Sequence, residues 1–128
     1  MNDLAPIALF CFNRPNHLKK TIENLKKNYL SKKTNIYIFS DAARNKLDIN
    51  KVGQVRNLIK NLKGFKQKKI ILRKKNYGLA KNIVNGISFV LKKEKKIIVL
   101  EDDLITSKFF LKYMNTYLDM FQKKKNIA

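Results

Sequence analysis

The sequence predicts an α/β fold in which a mostly parallel sheet is flanked by helices. Two observations support this class. Four short apolar runs alternate with four amphipathic stretches, and this β-α-β-α-β-α-β-α order is typical of parallel strands joined by helical crossovers. The length of 128 residues is sufficient for one domain with a hydrophobic core.

The strands are predicted from the apolar runs, which read as strands buried in the sheet. The helices are predicted from apolar residues at three- and four-residue spacing with lysines between them. Pro15 suits the first turn of the first helix. The predicted strands are 7–12, 36–39, 70–72 and 97–100, and the apolar positions of the predicted helices span 18–29, 52–62, 79–91 and 109–121.

The last predicted helix carries an aromatic stripe that includes Phe109, Tyr113, Tyr117 and Phe121. Because these residues recur at helical spacing, we expect them to pack in the core rather than to form a sugar-binding platform.

Polar residues follow each of the four predicted strands. Since ligands of such sheets bind outside the carboxyl ends of the strands, these positions are the candidate site. Four of the nine acidic residues of the chain lie at these ends, so a chain poor in carboxylates concentrates them on one edge. The residues are Asn13 and Arg14 after the first strand, Ser40 and Asp41 after the second, Arg73 and Asn76 after the third, and Glu101, Asp102 and Asp103 after the fourth.

The acidic triplet Glu101-Asp102-Asp103 is the strongest signal. Adjacent carboxylates at the end of a buried strand repel one another, so a positive group should compensate them. Hard oxygen ligands suit Mg²⁺ or Mn²⁺, which also bind substrate phosphates. The alternative is a solvated turn in which Asp103 caps the last helix.

The other strand ends each allow two interpretations. Arg14 offers a planar fork of donors for a phosphate or a base, or pairs with a surface carboxylate. Asp41 can accept hydrogen bonds from a ribose or a base, or cap a turn. Asn76 and Gly78 form a turn into a helix, where Gly78 permits a positive φ and the helix N-terminus favours anions, although a plain loop would look similar.

The formal net charge is +20, from 29 basic and nine acidic residues. One interpretation is an AT-rich genome, whose codons favour lysine, with the lysines on solvated faces of the protein. The other is a polyanionic partner, such as a nucleic acid, anionic lipid headgroups or a phosphorylated substrate. A basic nucleic-acid-binding α/β module is therefore the alternative function. We do not expect nucleic acid as the partner, because the aromatic residues lie at core spacings and the acidic triplet would repel phosphates.

Cys11 is the only cysteine and lies within an apolar run, which predicts a buried, inert thiol. No intrachain disulfide can form, no secretory signal is recognisable, and the apolar runs are too short to span a bilayer. We therefore predict a cytoplasmic protein. Because the lysine excess suits an anionic membrane surface, a peripheral position at the inner face of the cell membrane is a further hypothesis. The sequence lacks a Gly-x-Gly-x-x-Gly fingerprint, a phosphate-binding loop of the Walker type and a Gly-x-Ser-x-Gly motif, which excludes those enzyme classes.

Taken in order, four segments resemble the nucleotide-binding, N-terminal half of GT-A-type glycosyltransferases, whose fold is Rossmann-like. The resemblance is to family-2-like enzymes and, in detail, to the relatives of eukaryotic N-acetylglucosaminyltransferase I. It covers essentially the whole chain. The segments are 6–15, 39–41, 76–80 and 99–104.

The resemblance implies a metal-dependent transfer of a sugar from a nucleotide-diphosphate donor to a glycan or lipid-linked acceptor, as in bacterial polysaccharide biosynthesis. The donor would be a UDP-sugar and the cofactor Mn²⁺ or Mg²⁺, with Asp103 as the metal ligand. The nucleotide-sugar would be bound by the remaining candidate residues. These are Phe12, Asn13, Arg14, Asp41, Arg73, Asn76, Gly78, Glu101 and Asp102.

In this family the acceptor site and the catalytic base lie in the later half of the enzyme. The only carboxylate after Asp103 is Asp119, which lies on a predicted helix face. We therefore expect residues 1–128 to form a single donor-binding domain of a longer glycosyltransferase, whose catalytic base lies beyond residue 128.

Overall fold

The computed structural model of the protein describes residues 3–127, and their side chains up to residue 123. The strands are β1 (Ile7–Cys11), β2 (Ile36–Ser40), β3 (Lys68–Leu72) and β4 (Ile98–Glu101). The helices are α1 (Pro15–Lys26), α2 (Ile49–Lys60), α3 (Leu79–Leu91) and α4 (Phe110–Ile127), with short 3-10 helices at Ser31–Lys33 and Lys46–Asp48. The predicted order of eight main elements is confirmed.

The four strands form one parallel sheet in the order β3-β2-β1-β4. The chain moves outward from β1 to β3 and then returns across β1 to place β4 on the other side. This reversal next to β1 is the topological switch point at which α/β sheets open a crevice beyond their carboxyl ends. The sheet is wholly parallel, so the predicted fold class is confirmed.

Two apolar cores lie on the two faces of the sheet, because alternate strand residues point to opposite sides. Side chains of α1, α2 and α4, such as Leu18, Val55 and Leu111, pack on one face. Side chains of α3, such as Val90, pack on the other face against Ala8, Phe10 and Phe39. Right-handed crossovers explain why α3 packs on a different face from α1 and α2. Helices α1 and α2 connect strands in the direction from β1 to β3, whereas α3 connects β3 to β4 in the opposite direction across the sheet.

Helix α3 lies unusually close to the sheet at Gly86. A β-carbon at this position would overlap the ring of Phe10 and lie 3.2 Å from Cδ2 of Phe39. The two rings are themselves stacked with centroids 5.0 Å apart. Glycine therefore permits a close packing of helix on strand that no other residue would allow without movement.

The expectation that the whole aromatic stripe of α4 packs in the core is wrong. Phe110, Met114 and Leu118 pack against the core, whereas Tyr113 is 72% and Phe121 is 58% exposed. Phe109 and Tyr117 are exposed as well. The helix has an apolar arc too wide for one sheet face, so only the half directed at the sheet is buried.

Candidate functional site

A cavity of about 340 Å³ opens beyond the carboxyl ends of β1, β2 and β4. Its volume is in the range of small-molecule sites. Of the ten predicted site residues, eight line this cavity and Arg73 and Asp103 do not. The eight are Phe12, Asn13, Arg14, Asp41, Asn76, Gly78, Glu101 and Asp102.

Asp41 follows β2 and is 3% exposed. One carboxylate oxygen accepts hydrogen bonds from the backbone N–H groups of Ala42 and Tyr77, both at 2.8 Å. The other accepts from the backbone N–H of Gly78 at 3.0 Å and from Nδ2 of Asn76 at 3.4 Å. Four donors use the acceptor sites of a carboxylate. Asp41 therefore ties β2 to the loop before α3, and its predicted contact with a base stays a prediction.

Gly78 is the residue immediately before α3, with φ 81° and ψ 159°. This backbone conformation is accessible almost only to glycine. No atom lies within 4 Å of the place where a β-carbon would stand, so conformation alone requires glycine here. The turn lets two successive backbone N–H groups, of Tyr77 and Gly78, reach Asp41.

The guanidinium of Arg56, on α2, forms hydrogen bonds with the ends of both β2 and β3. Its Nη2 donates to the backbone carbonyls of Ser40 and Asp41 at 3.3 Å and of Arg73 at 2.9 Å. Its Nε donates to Oγ of Ser40 at 3.1 Å. These bonds supply donors to backbone carbonyls at the ends of β2 and β3, so Arg56 stabilises the edge of the sheet next to Asp41.

Asp102 and Arg14 form the opposite wall. Nη2 of Arg14 donates to Oδ1 of Asp102 at 2.7 Å, and the Asp102 side chain is only 4% exposed. Burial raises the pKa of Asp102 above the ordinary aspartate value, and Arg14 offsets part of the shift. Thr21 of α1 fixes the backbone here, since its hydroxyl donates to the carbonyl of Asp102 at 2.8 Å.

Asp103 is not among the residues that line the cavity, and its side chain is 43% exposed, with Oδ2 3.8 Å from Nη1 of Arg14. Within residues 3–127, no three acidic, histidine or cysteine side chains converge to hold a metal ion. Mg²⁺ and Mn²⁺ commonly bind through one or two carboxylates together with substrate phosphates. Asp103, free on one side and next to the cavity, fits that kind of partial site.

Arg73 lies behind the cavity wall rather than in it. Its guanidinium sits 4.5 Å from the ring centroid of Tyr77 and 5.3 Å from that of Phe39. Its Nε donates to Oδ1 of Asn82 at 3.0 Å. Asn82 lines the cavity and is a site residue that the sequence analysis missed.

Arg44 is the second residue that was missed. It lines the cavity with its guanidinium 5.2 Å from the ring centroid of Phe12. It donates to Asp48 through Nε at 2.9 Å and Nη2 at 3.2 Å, and Asn13 donates to the same carboxylate at 3.0 Å. The hydrogen bonds from Arg44 hold the pKa of Asp48 well below its usual range. This pair orders the loop after β2 around Phe12.

Cys11 also lines the cavity wall but is 3% exposed. Burial is the main cause that raises the pKa of its thiol to about 12. At neutral pH the group is a protonated thiol, so the prediction of an inert cysteine agrees with its surroundings.

Comparison with solved structures identifies the crystal structure of S. aureus TarS as similar, with a TM-score of 0.58 and 16% sequence identity. The likeness covers 90% of this chain and 20% of that chain. At this identity it shows the fold alone, and the chain spans about a fifth of the TarS chain. No curated protein sequence matches the chain.

Comparison with protein families gives a match that covers all four strands, the helices α1 to α3 and part of α4. Glycosyl transferase family 2 matches residues 7–120, which begin at the first residue of β1 and end within α4. The match includes every strand end that lines the cavity. This chain belongs to glycosyl transferase family 2.

Proposed function

We propose that the chain is the donor-binding part of a metal-dependent glycosyltransferase that uses a nucleotide-diphosphate sugar. The observation that supports this most directly is the cavity at the switch point of a family 2 fold, lined by polar residues from three strand ends. The nucleic-acid-binding alternative is not favoured, because the family is one of glycosyl transferases.

The two walls suit different parts of such a donor. Phe12 lies beside the Arg44–Asp48 pair, and Asn76 is fixed by its hydrogen bond to the backbone carbonyl of Ala42. These two residues are proposed to hold the base and the ribose. Arg14 is 48% exposed and uses one of its nitrogens for Asp102, so further N–H groups remain for a diphosphate. Glu101 lines the cavity beside Asp102 and is placed for sugar hydroxyls.

Asp103 is the proposed ligand of a divalent cation, Mn²⁺ or Mg²⁺. A bound cation would neutralise the charge of the leaving diphosphate, which is a Lewis-acid role. The carboxylate of Asp102 is buried and held by Arg14, whereas that of Asp103 is partly exposed and only 3.8 Å from the same guanidinium. Arg14 adds positive charge at the same place without a metal.

The donor is proposed to be a UDP-sugar and the acceptor a glycan or a lipid-linked glycan, as in bacterial polysaccharide biosynthesis and in relatives of N-acetylglucosaminyltransferase I. The acceptor site and catalytic base are assigned to a further part of a longer protein. Asp119 is the only later carboxylate in these 128 residues, and it does not suit the role of the base, because it pairs with Lys96 at 3.0 Å. Lys96 lies just before β4, at the amino end of the sheet and away from the cavity.

Thermal unfolding with ligand tests the proposal. UDP with Mn²⁺ should raise the melting temperature of the wild-type protein, since a ligand at a hundred times its Kd stabilises by about 2.7 kcal/mol. Asp103→Ala should abolish the Mn²⁺-dependent part of the shift. The matched control is Asp119→Ala, which removes a carboxylate outside the cavity and should keep the whole shift. If UDP, GDP, CDP and dTDP all leave the melting temperature unchanged at millimolar concentration, the proposed function is wrong.

An anionic membrane surface is a second proposed partner, with the protein at the inner face of the cell membrane. No helix in the described part of the chain is long and apolar enough to cross a bilayer. Among the side chains that the structure describes, Lys96 is the only lysine in an ion pair, so most of the +20 charge faces solvent. Flotation with anionic liposomes should recover the protein, and neutral liposomes should not. Equal recovery would contradict this partner.

A further inference from the structure

Asn82 is a buried amide at the edge of the cavity, on the face of α3 that meets the sheet. It shares this face with Gly86 and Val90, at successive four-residue intervals. Asn82 is only 3% exposed, and what it exposes lies at the cavity that it lines. Buried amides normally have partners for both the oxygen and the nitrogen.

The orientation of this amide is fixed by Arg73. Oδ1 of Asn82 accepts the hydrogen bond from Nε of Arg73 at 3.0 Å, and the guanidinium lies 4.5 Å from the ring centroid of Tyr77 and 5.3 Å from that of Phe39. Arg73 can only donate, so it cannot accept from the amide nitrogen. Asn82 therefore keeps its oxygen toward Arg73 and its N–H groups away from it.

The Nδ2 group is left free at the cavity. It has no hydrogen-bond partner among the described residues. In the same part of the chain, the fully buried side-chain atoms without a partner are Oδ1 of Asn35 and Nη2 of Arg73, so Nδ2 of Asn82 differs from them in retaining some exposure. An N–H₂ group that is open to the cavity in an otherwise buried residue is satisfied only by water or by a ligand acceptor.

We propose that Asn82 is a binding residue whose Nδ2 donates to an oxygen of the nucleoside part of the ligand, with Arg73 as its positioning residue. This rests on the proposed nucleotide-sugar function. Asn82 is neutral, and the guanidinium behind it lies 4.5 Å from the ring centroid of Tyr77, whereas the half-exposed guanidinium of Arg14 is the one we assign to the diphosphate. A carbonyl oxygen of the base, which can only accept, is the group that fits a neutral, fixed donor.

Asn82→Asp tests the donor with little change in shape. One carboxylate oxygen still faces Arg73, and the other replaces the N–H₂ group with an acceptor that repels the ligand oxygen. The Kd for UDP, measured by calorimetry, should rise at least about tenfold. Asn85→Asp is the matched control, since Asn85 lies exposed on the same helix and donates to the carbonyl of Lys81. It adds the same charge and should change the Kd less than about twofold.

Asn82→Ser is the second variant, for the case that the aspartate does not fold. It removes the N–H₂ group without adding charge and should also weaken UDP binding. Unchanged UDP affinity in a folded Asn82→Asp or Asn82→Ser protein overturns the assignment. If the wild-type protein binds none of UDP, GDP, CDP and dTDP, the proposed function has failed, which is a different result from binding that ignores Asn82.

Uridine and pyrophosphate identify the part of the ligand that Asn82 contacts. The loss in Asn82→Asp should appear with uridine as it does with UDP. A loss seen with UDP and pyrophosphate but not with uridine would overturn the nucleoside assignment in favour of a phosphate contact.

Arg73→Met tests the positioning role, because methionine keeps an unbranched apolar stem and loses the Nε donor to Asn82. UDP affinity should fall in the wild-type background and stay unchanged in the Asn82→Asp background. Equal losses in both backgrounds would show that Arg73 acts through the fold alone.

Discussion

Two buried aspartates, Asp41 and Asp102, end two strands of the same sheet and are satisfied in opposite ways. Asp41 receives four hydrogen bonds, three of them from backbone N–H groups. Asp102 receives its side-chain bond from Arg14, which is itself half exposed. Burial raises the pKa of Asp102, and the charge of the adjacent Asp103 adds to that rise. One wall of the cavity is thus held by a carboxylate with backbone donors, and the other by a buried carboxylate paired with a half-exposed guanidinium.

The largest effect is expected when the wall held by backbone donors is broken. Asp41→Asn places an N–H₂ group opposite backbone donors and leaves at least one of them buried without an acceptor. We expect the free energy of unfolding to fall by about 3 kcal/mol or more. Urea unfolding followed by circular dichroism measures it.

Asp102→Asn is the counterpart on the other wall. It removes a buried charge that the surroundings disfavour, and water can solvate the half-exposed Arg14 that it releases. The free energy of unfolding should therefore change by less than about 1 kcal/mol. Similar losses in the two variants would show that the walls do not differ in the way described.

An effect smaller than that at Asp41 is expected at Gly86, where α3 meets the ring of Phe10. In Gly86→Ala the added methyl group overlaps a ring that is already stacked on Phe39. Overpacking costs about 1–3 kcal/mol, and the better helix propensity of alanine returns about 1 kcal/mol. We expect a net loss of roughly 1 kcal/mol and a lower melting temperature.

Gly53→Ala is the matched control for this substitution. Gly53 lies within α2, and no atom is found within 4 Å of the position of its β-carbon. Alanine should therefore raise the free energy of unfolding by about 0.5–1 kcal/mol. A Gly86→Ala protein that gains stability as Gly53→Ala does would disprove the close contact between α3 and the sheet.

The main features of the fold could be predicted because they depend on local pattern. Continuous apolar runs identify buried parallel strands, and the polar residues directly after them must lie on one edge. This reasoning accounts for six of the eight candidates that line the cavity, since Phe12 was implied by the family resemblance and Gly78 by the turn before the third helix. The assignment of the chain to a family 2 glycosyltransferase from four ordered segments is confirmed. The finer likeness to N-acetylglucosaminyltransferase I stays a proposal.

The rest depends on packing that no local pattern records. Asn82 contributes to the cavity because of the direction that α3 takes after Gly78, and Arg44 because its loop closes over Phe12. Arg73 was expected in the cavity but is captured by Tyr77 and Asn82. Hydrogen-bond saturation of Asp41 is likewise a property of the assembled loops. A four-residue helical spacing at Asn82, Gly86 and Val90 was the one available signal for a polar residue facing the sheet.

The bonds to Asp41 also have a consequence for motion. They join the end of β2 to residues 76–78, which lie 35 to 37 positions further along the chain. A loop of this kind would ordinarily open on its own and expose its amides. Here the amides of Tyr77 and Gly78 can open only by breaking their hydrogen bonds to the buried carboxylate of Asp41, so we expect them to exchange more slowly than the amides of an unattached loop. The wall of the cavity beside α3 is therefore tied to the end of β2, whereas the guanidinium of Arg14 on the other wall is half exposed.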